Sequence, residues 1–457
     1  MANPLGPLGA ADERFDHQIA DTFATVGVSD PSWTEKVCAM AARRDGSLQL
    51  GFGMGKYTNR NVLDGYAGLS RGAEQITVRG SRRLFPDPEA SAVGPIRYEV
   101  LEPMKRVRFS LEPNDCQPLA FDWVYEAVLP PAAEERTHQR VPLGYRVSAD
   151  LVRYHQIGTA SGWVEVDGER HEIDPDEWVS TRDHSWGVRY DVGTPPTDMD
   201  PFNPVAAMDF QMIWCPVLMA DPDGTPWGLF MHLVDMAGFG RHHRTVMGSV
   251  EQVDGTVARM ADIRPDLSYD PVNRRLLGGR IEVTMEDGDV RRFEVEVPGD
   301  TGFHLGAGLY FGWRGHHHGE WRGDLHVDGE RLADCRDADL VRELHQIRDT
   351  FVHVRDMARS FIFALEARNR VKDDVYNVGH ESMNFTKEDV ARQILKHTDF
   401  YLHFAEVGHD ADQRNYEVCY DKVRKKGFET TVDLDRGIAE LVRAAQLIEF
   451  QNPFANV

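Results

Sequence analysis

The feature that most constrains the fold of this chain is a repeated alternation of apolar and polar residues, punctuated by Asp-Gly pairs. Alternating runs include Ile96–Val100, Val107–Leu111, Ile281–Met285 and Phe293–Val297. Successive side chains of a β-strand point to opposite faces, so these runs predict strands with one buried face. Asp-Gly supplies the positive φ angles of tight hairpin turns. Such pairs include Asp45-Gly46, Asp167-Gly168, Asp223-Gly224, Asp254-Gly255, Asp287-Gly288 and Asp328-Gly329. The pattern predicts a mainly β protein built of antiparallel hairpins.

The β pattern continues to about residue 335, which is too long for one small barrel. We therefore expect two consecutive antiparallel β-barrels, over residues 15–142 and 143–335. The stretch Pro130–Pro142, rich in proline and charge, is the expected linker, and residues 1–14 are expected to be a flexible N-terminus.

Residues 336–457 have a different texture, with helical patterns between short apolar runs, which indicates a separate α/β segment. Capping residues and charge at the ends predict three of its helices. The predicted helices are Thr386–Lys396, Asp421–Lys426 and Asp433–Glu449, and the predicted strands are Val375–Val378 and Tyr401–Phe404.

Charge and composition argue against several kinds of partner. The 457 residues carry a formal net charge of −23, which is unfavourable for binding nucleic acid or an anionic membrane surface. No apolar run is long enough to predict a membrane span, and Met1–Asp12 has no signal-peptide pattern. The five cysteines form no CxxC pair, which is typical of reduced thiols. These features favour a cytoplasmic location.

The segment Thr181–Arg189 reads T-R-D-H-S-W-G-V-R and concentrates chemical groups in nine residues. On a strand, one face would carry Arg182, His184 and Trp186, and the other would carry Asp183. An imidazole beside an aromatic ring and a guanidinium is more typical of a binding site than of a core. The structural alternative is a buried Asp–His pair that pins two strands together.

The residues Asp183-His184-Ser185-Trp186-Gly187 resemble the D-H-x-W-G signature of the AttH and carotenoid 1,2-hydratase-like (lipocalin-like) family. The resemblance covers about residues 15–335 and implies two lipocalin-like barrels with a ligand cavity. It also implies hydration, dehydration, isomerisation or cyclisation at a carbon–carbon double bond, without a redox cofactor. His184 and Trp186 match residues tied to acid/base chemistry in the hydratases.

Those hydratases also carry a Tyr-x-Asp pair on the following hairpin. The corresponding strand here, Gly228–Asp235, has no such pair and offers His232 and Asp235 instead. This departure leaves open which reaction at the double bond the chain would catalyse.

Our leading hypothesis is therefore a cofactor-independent enzyme that acts on a hydrophobic small molecule. Either Asp183, kept protonated by burial, or His184, as imidazolium, would protonate the double bond. Trp186 would face the carbocation, and His232 or Asp235 would orient water or remove a proton. The expected substrate-binding residues are Arg182, Arg189, Trp214, Trp313 and His318.

The two arginines of the segment have alternative roles that exclude each other. Arg182 and Arg189 would either hold an acidic substituent of the substrate or keep Asp183 ionised. If Asp183 is ionised, His184 becomes the acid. A non-catalytic carrier of hydrophobic ligands is the alternative function, because the same aromatic lining would serve it.

A second resemblance concerns the end of the chain. Arg348–Ala358, Val375–Gly379 and Asp412–Arg414 resemble the C-terminal part of NAD-dependent sugar-nucleotide epimerases. The resemblance implies that Arg348 and Arg414 match sugar-nucleotide contacts. However, the chain has neither a glycine-rich dinucleotide loop nor a Tyr-x-x-x-Lys pair. We therefore expect a docking, dimerising or relic segment, with a homodimer or a sugar-nucleotide function as its possible roles.

Other motifs are more typical of structural elements than of binding sites. Gly51–Lys56 lacks the spacing of a phosphate loop and predicts a bulged strand. Neighbouring histidines on a strand point to opposite faces, so neither His316–His318, with His326 nearby, nor His242-His243 predicts a metal site. Trp214 lies in an apolar run that predicts barrel lining. The sequence leads us to expect no cofactor and no metal.

Overall fold

The structure is a computed structural model that forms two compact units, Met1–Gln346 and Ile347–Val457. It describes residues 8–15, 17, 24–140, 146–189, 192–194, 209–238, 241–270, 273, 275–299, 302–310, 312–337, 340, 370, 376–379, 387–398 and 420–447. Single 3-10 turns occupy Ala10–Glu13, Thr58–Arg60 and Leu305–Gly308.

Among the described residues, twenty strands account for most of the first unit. The first thirteen are β1 Trp33–Arg43, β2 Gln49–Tyr57, β3 Val62–Arg71, β4 Glu74–Arg83, β5 Ala92–Val93, β6 Ile96–Glu102, β7 Arg106–Leu111, β8 Leu119–Ala127, β9 Ala132–Ala133, β10 Thr137–Arg140, β11 Val147–Val166, β12 Glu169–Ile173 and β13 Trp178–Val188. The others are β14 Asp209–Ala220, β15 Pro226–Gly238, β16 Arg241–Gln252, β17 Val257–Tyr269, β18 Leu276–Met285, β19 Val290–Glu296 and β20 Leu325–Leu332.

The larger sheet has fourteen strands in the antiparallel order β20-β4-β3-β2-β1-β13-β11-β8-β7-β6-β5, with β9, β10 and β12 paired to β11. Strands β5 and β6, at one end of this order, lie against β3 and β4 near the other end. The sheet is therefore a nearly closed barrel. Its interior is filled by apolar side chains, including Phe52, Phe109, Phe121 and Trp123.

The smaller sheet contains β14 to β19 in sequence order and forms a half-barrel. Its first strand, β14, lies against β11 and β13, so the half-barrel covers part of the outer face of the barrel. It has its own core of apolar residues, which includes Met231, Val250, Ile263 and Val283.

The mainly β class predicted from the sequence is confirmed, with a half-barrel in place of a second barrel. Strands from both sides of residue 142 share the larger sheet, because β11 pairs with β8 as well as with β13. The expected linker contributes β9 and β10, which also pair with β11, while residues 141–145 lie outside the described part. The domain boundaries themselves stay predictions.

The hairpin turns follow the Asp-Gly pairs closely. Positive φ angles are found at the glycines Gly46, Gly168, Gly224, Gly255 and Gly288. The pair Asp328-Gly329 was wrongly expected to be a turn, since it lies inside β20. Gly51–Lys56 lies within β2, as the structural reading predicted. A Cβ at Gly53 would overlap the ring of Tyr66, so the glycine allows a close aromatic contact.

The described helices of the second unit are α1 Lys387–Ile394, α2 Asp421–Arg424 and α3 Leu434–Leu447, which confirm the three predicted helices. The described part of Val375–Val378 is not a strand, and Tyr401–Phe404 lies outside the described residues. Among the helices that the structure describes, none is long and apolar enough to cross a membrane.

Candidate active site

Strand β13 divides the polar groups of Thr181–Arg189 between the two faces of the barrel wall. It lies between β1 and β11, where Asp183 is opposite Cys38 and His155, and His184 is opposite Val37 and Tyr154. Arg182, His184 and Trp186 therefore face the barrel interior, while Asp183 faces outward, as alternation along a strand requires.

The interior face of β13 binds the N-terminal segment. Glu13 and Arg182 are both fully buried and form a bidentate ion pair, with Nη1–Oε1 and Nη2–Oε2 distances of 2.5 and 2.8 Å. The Met104 amide donates to Glu13 Oε2 at 2.6 Å, and Arg182 also donates to Gln156. Burial alone would raise the pKa of Glu13, but the Arg182 guanidinium and these hydrogen bonds lower it.

His184 is fully buried next to this ion pair. Its Nε2 lies 2.9 Å from Glu35 Oε1, and its Nδ1 lies 3.2 Å from the Tyr154 hydroxyl. His17 approaches the same carboxylate, with Nδ1 2.6 Å from Glu35 Oε1, and its ring stacks on Trp186 at 3.4 Å. Both nitrogens of His184 thus have protein partners, and Trp186 is covered by His17.

These contacts change two expectations for the segment. The N-terminus, residues 1–14, was expected to be flexible. Its residues 10–13 dock in the barrel, as does His17 just after it. His184 and Trp186 do not face the half-barrel. Because Arg182 binds Glu13 on the interior face, it does not bind Asp183.

Asp183 lies on the outward face and is only 8% exposed. No hydrogen bond or ion pair to its carboxyl occurs among the described residues. Burial raises the pKa of Asp183, although the charges of Arg153 and Arg189 act to lower it. Arg189 donates to the Ser185 hydroxyl on the same face. Asp183 is thus a carboxyl group removed from water.

A buried network of charges lies beside Asp183, between the barrel and the half-barrel. Arg153 donates to Glu134 Oε2 through Nε at 2.8 Å, and His155 lies between Glu134 and Glu251, with nitrogen–oxygen distances of 3.3 and 3.0 Å. Burial disfavours the charged forms of His155 and Glu134. Attraction to their oppositely charged neighbours outweighs this, so the pKa of His155 is raised to about 9 and the pKa of Glu134 is lowered to about 2. His155 is therefore cationic at neutral pH.

The half-barrel presents His232 and Trp214 to this network. The two residues are opposite each other on β15 and β14, and Trp214 Nε1 donates to Glu134 Oε1 at 3.0 Å. Burial and the charge of Arg153 lower the pKa of His232 to about 4. Its Nδ1 has no hydrogen-bond partner in the described part of the chain. His232 is therefore a neutral imidazole at neutral pH.

The structure does not bring the other expected residues to this region. Asp235 is three residues from His232 on β15 and thus on the opposite face, where it pairs with Arg244 and His242. Trp313 donates to Glu330 at 2.6 Å and packs in a small apolar cluster. His318 is buried on the outer face of the barrel, with Nδ1 2.8 Å from the Tyr57 hydroxyl.

Reasoning from the sequence missed four members of the network. Arg153 and His155 occupy alternate positions of β11, a pattern that would have signalled one polar face. Glu134 lies in the expected linker, and Glu251 resembles an ordinary solvent-facing residue of a hairpin. Arg348 and Arg414 lie outside the described residues, and nothing supports the epimerase resemblance or a homodimer.

Comparison with solved structures finds similarity at low identity. A putative AttH from Nitrosomonas europaea is 12% identical over 58% of this chain and 92% of its own, with a TM-score of 0.35. Kievitone hydratase from Nectria haematococca is 14% identical over 57% and 77%, with a TM-score of 0.27. CghA with Sch210972 is 12% identical over 58% and 75%, with a TM-score of 0.37. Residues 8–367 match the model of a Family of unknown function (DUF8625), and the chain belongs to that family.

Proposed function

We propose that this protein is an enzyme that protonates a carbon–carbon double bond of a hydrophobic small molecule, with no redox cofactor. The reaction class is that of a hydratase, isomerase or cyclase. The observation that carries the proposal is that Asp183 of the barrel and His232 of the half-barrel both lie beside the same buried charge network. Both are buried and both lie near the Arg153–Glu134 pair. His232 Nδ1 has no hydrogen-bond partner among the described residues.

Asp183 would be the proton donor. A carboxyl group that is removed from water and receives no hydrogen bond favours its neutral form, which can donate a proton. The bound carbon–carbon π bond would take this proton, forming a C–H bond and leaving a carbocation on the neighbouring carbon. The negative charge that remains on Asp183 would lie opposite the cationic His155.

His232 would be the proton acceptor. A neutral imidazole can take a proton from a water molecule as the water adds to the carbocation, which completes hydration. If it takes a proton from a carbon next to the cation instead, the result is isomerisation or the end of a cyclisation. In each case the proton must return to Asp183 before the next turnover.

The aromatic rings of the half-barrel support a hydrophobic, cationic intermediate. Trp214 and Phe230 both lie at this site, and their rings already contact the cations Arg153 and His155 at 5.0 and 3.8 Å. An aromatic face contributes about 0.5–2 kcal/mol to binding a cation. Trp186, which the sequence favoured for this role, is stacked on His17 inside the barrel.

The test is a comparison of turnover with affinity. The wild-type protein is incubated with a panel of polyene and isoprenoid compounds, and products and binding are measured by mass spectrometry and fluorescence quenching. Asp183→Asn, which keeps the size of the side chain, is expected to bind with little change and to lose turnover by about 100-fold or more. His232→Gln is expected to show the same split.

A carrier would behave differently. It would bind members of the panel with no product from the wild-type protein, and Asp183→Asn would change nothing but affinity. That result would overturn the proposed reaction and leave the hydrophobic-ligand alternative. Unchanged turnover in Asp183→Asn would overturn the role of Asp183 alone.

A further inference from the structure

A second cluster of chemical groups lies on the interior face of β13, away from the proposed acid and base. His17, Glu35 and His184 each offer one ligand atom, and these three atoms lie within 4.8 Å of one another. Glu35 and His184 are fully buried, and the His17 side chain is 13% exposed. Two histidines and one carboxylate are a ligand set that divalent zinc commonly takes in proteins.

The hydrogen bonds around the cluster fix where protons can be. The Tyr154 hydroxyl donates to Glu13 Oε1 at 3.0 Å, a charge-assisted bond, so it accepts from His184 Nδ1. His184 Nε2 then faces Glu35 Oε1 at 2.9 Å, and two lone pairs cannot meet at that distance. Either a proton or a metal ion must lie between these atoms.

His17 presents the same requirement. Its Nε2 lies 3.3 Å from Asp12 Oδ1, and its Nδ1 lies 2.6 Å from Glu35 Oε1, so each nitrogen faces a carboxylate oxygen. In both histidines the nitrogen turned away from Glu35 has an acceptor of its own, Asp12 or Tyr154. Metal-bound histidines show this arrangement, in which the outer N–H is held by a second residue.

The charges allow a divalent ion to replace the two protons. Three carboxylates, those of Asp12, Glu13 and Glu35, surround the cluster, and Arg182 supplies one positive charge. Two imidazolium groups would bring the sum to zero. A divalent ion bound to two neutral histidines would do the same, because it carries the charge of the two protons it displaces.

We propose that His17, Glu35 and His184 bind a divalent transition-metal ion of the zinc class. Tetrahedral zinc holds nitrogen and oxygen ligands about 2.0–2.1 Å from the metal, which separates the ligand atoms by about 3.3 Å. The nitrogens of His17 and His184 lie 2.6 and 2.9 Å from Glu35 Oε1, so each would move outward to bind the ion. The two nitrogens lie within 4.8 Å of each other and would have to reach the same spacing. The ion would join the N-terminal segment, through His17, to β1 and β13, and its fourth position would be open.

The experiment uses the full chain, treated with a chelator and dialysed, and titrated with zinc chloride in a calorimeter. We expect one ion per chain and a release of protons on binding, detected by repeating the titration in buffers of different ionisation enthalpy. Cobalt(II) in place of zinc should give the intense visible absorption of a tetrahedral site. His17→Ala removes a ligand from the segment and is expected to weaken binding about 100-fold or more.

Two other variants make the result specific. Asp12→Asn should weaken binding by about 10-fold, because it changes the group that holds the outer N–H of His17. His138→Ala, at a half-exposed histidine remote in sequence, should leave affinity unchanged. The proposal is overturned if the wild-type protein binds no zinc, or if His17→Ala and Asp12→Asn both bind it as tightly as the wild type.

Discussion

Replacing Arg182 by methionine should lower the free energy of unfolding of this protein far more than the same substitution at an exposed arginine. The guanidinium is 2% exposed and forms a bidentate ion pair with Glu13, which is 1% exposed. Methionine fills a similar volume but leaves the Glu13 carboxylate buried without its cation. Removing one partner of a buried ion pair costs about 3–5 kcal/mol, because the other charge remains out of water.

The matched control is Arg136→Met. Arg136 also forms a bidentate pair, with Asp150 at 2.7 and 2.9 Å, but its side chain is 57% exposed. Exposed pairs contribute about 0–1 kcal/mol. The two variants therefore share the same chemistry and differ in burial.

The assay is urea unfolding followed by circular dichroism. We expect Arg182→Met to lower the free energy of unfolding by about 3–5 kcal/mol, and the double variant Glu13→Gln/Arg182→Met to recover part of the loss. Equal, small effects of Arg182→Met and Arg136→Met would refute the docking of the N-terminal segment in the barrel.

Three further outcomes follow from single contacts. The pKa of His155 is raised from 6.5 to about 9, so its contribution, about 3 kcal/mol, is complete below pH 6.5 and lost as pH rises through 9. Between pH 6.5 and 9, the free energy of unfolding of the wild type, measured in urea, should fall relative to that of His155→Gln. Free energies of the two proteins that change with pH in parallel would contradict this. Gly53→Ala should cost about 1–3 kcal/mol, because its Cβ overlaps the Tyr66 ring, and Tyr66→Leu should relieve part of the cost. In urea unfolding, an unchanged free energy of unfolding for Gly53→Ala would contradict the close packing. Asp235→Asn should keep its turnover of any substrate found, since Asp235 faces away from His232 and pairs with Arg244; a 100-fold loss would restore the role expected from the sequence.

The strands and turns were predictable because they depend on local chemistry. Alternation places Asp183 and His184 on opposite faces of any strand. Asp-Gly pairs form turns where the strands on either side pair with each other. Asp328-Gly329 was the exception, because β20 pairs with β4, some 250 residues away in sequence, and this pairing overrides the local preference.

The composition of the site was much harder to predict. Alternation does not say which face of β13 is covered by the half-barrel, so the sequence could not choose between Asp183 and His184 as the acid. Glu13 reaches Arg182 across 169 positions, and Glu134 lies in a stretch that looks like a linker. Such contacts depend on how layers pack, which local patterns do not encode.

Delivery of a proton from Asp183 to a carbon atom of the substrate can be measured by deuterium incorporation. A compound that the wild-type protein converts is incubated in deuterium oxide, and the product is analysed by mass spectrometry and NMR. We predict one deuterium fixed on carbon per turnover, and none above background with Asp183→Asn. Product that forms without deuterium on carbon, or that carries it equally with Asp183→Asn, would contradict the account.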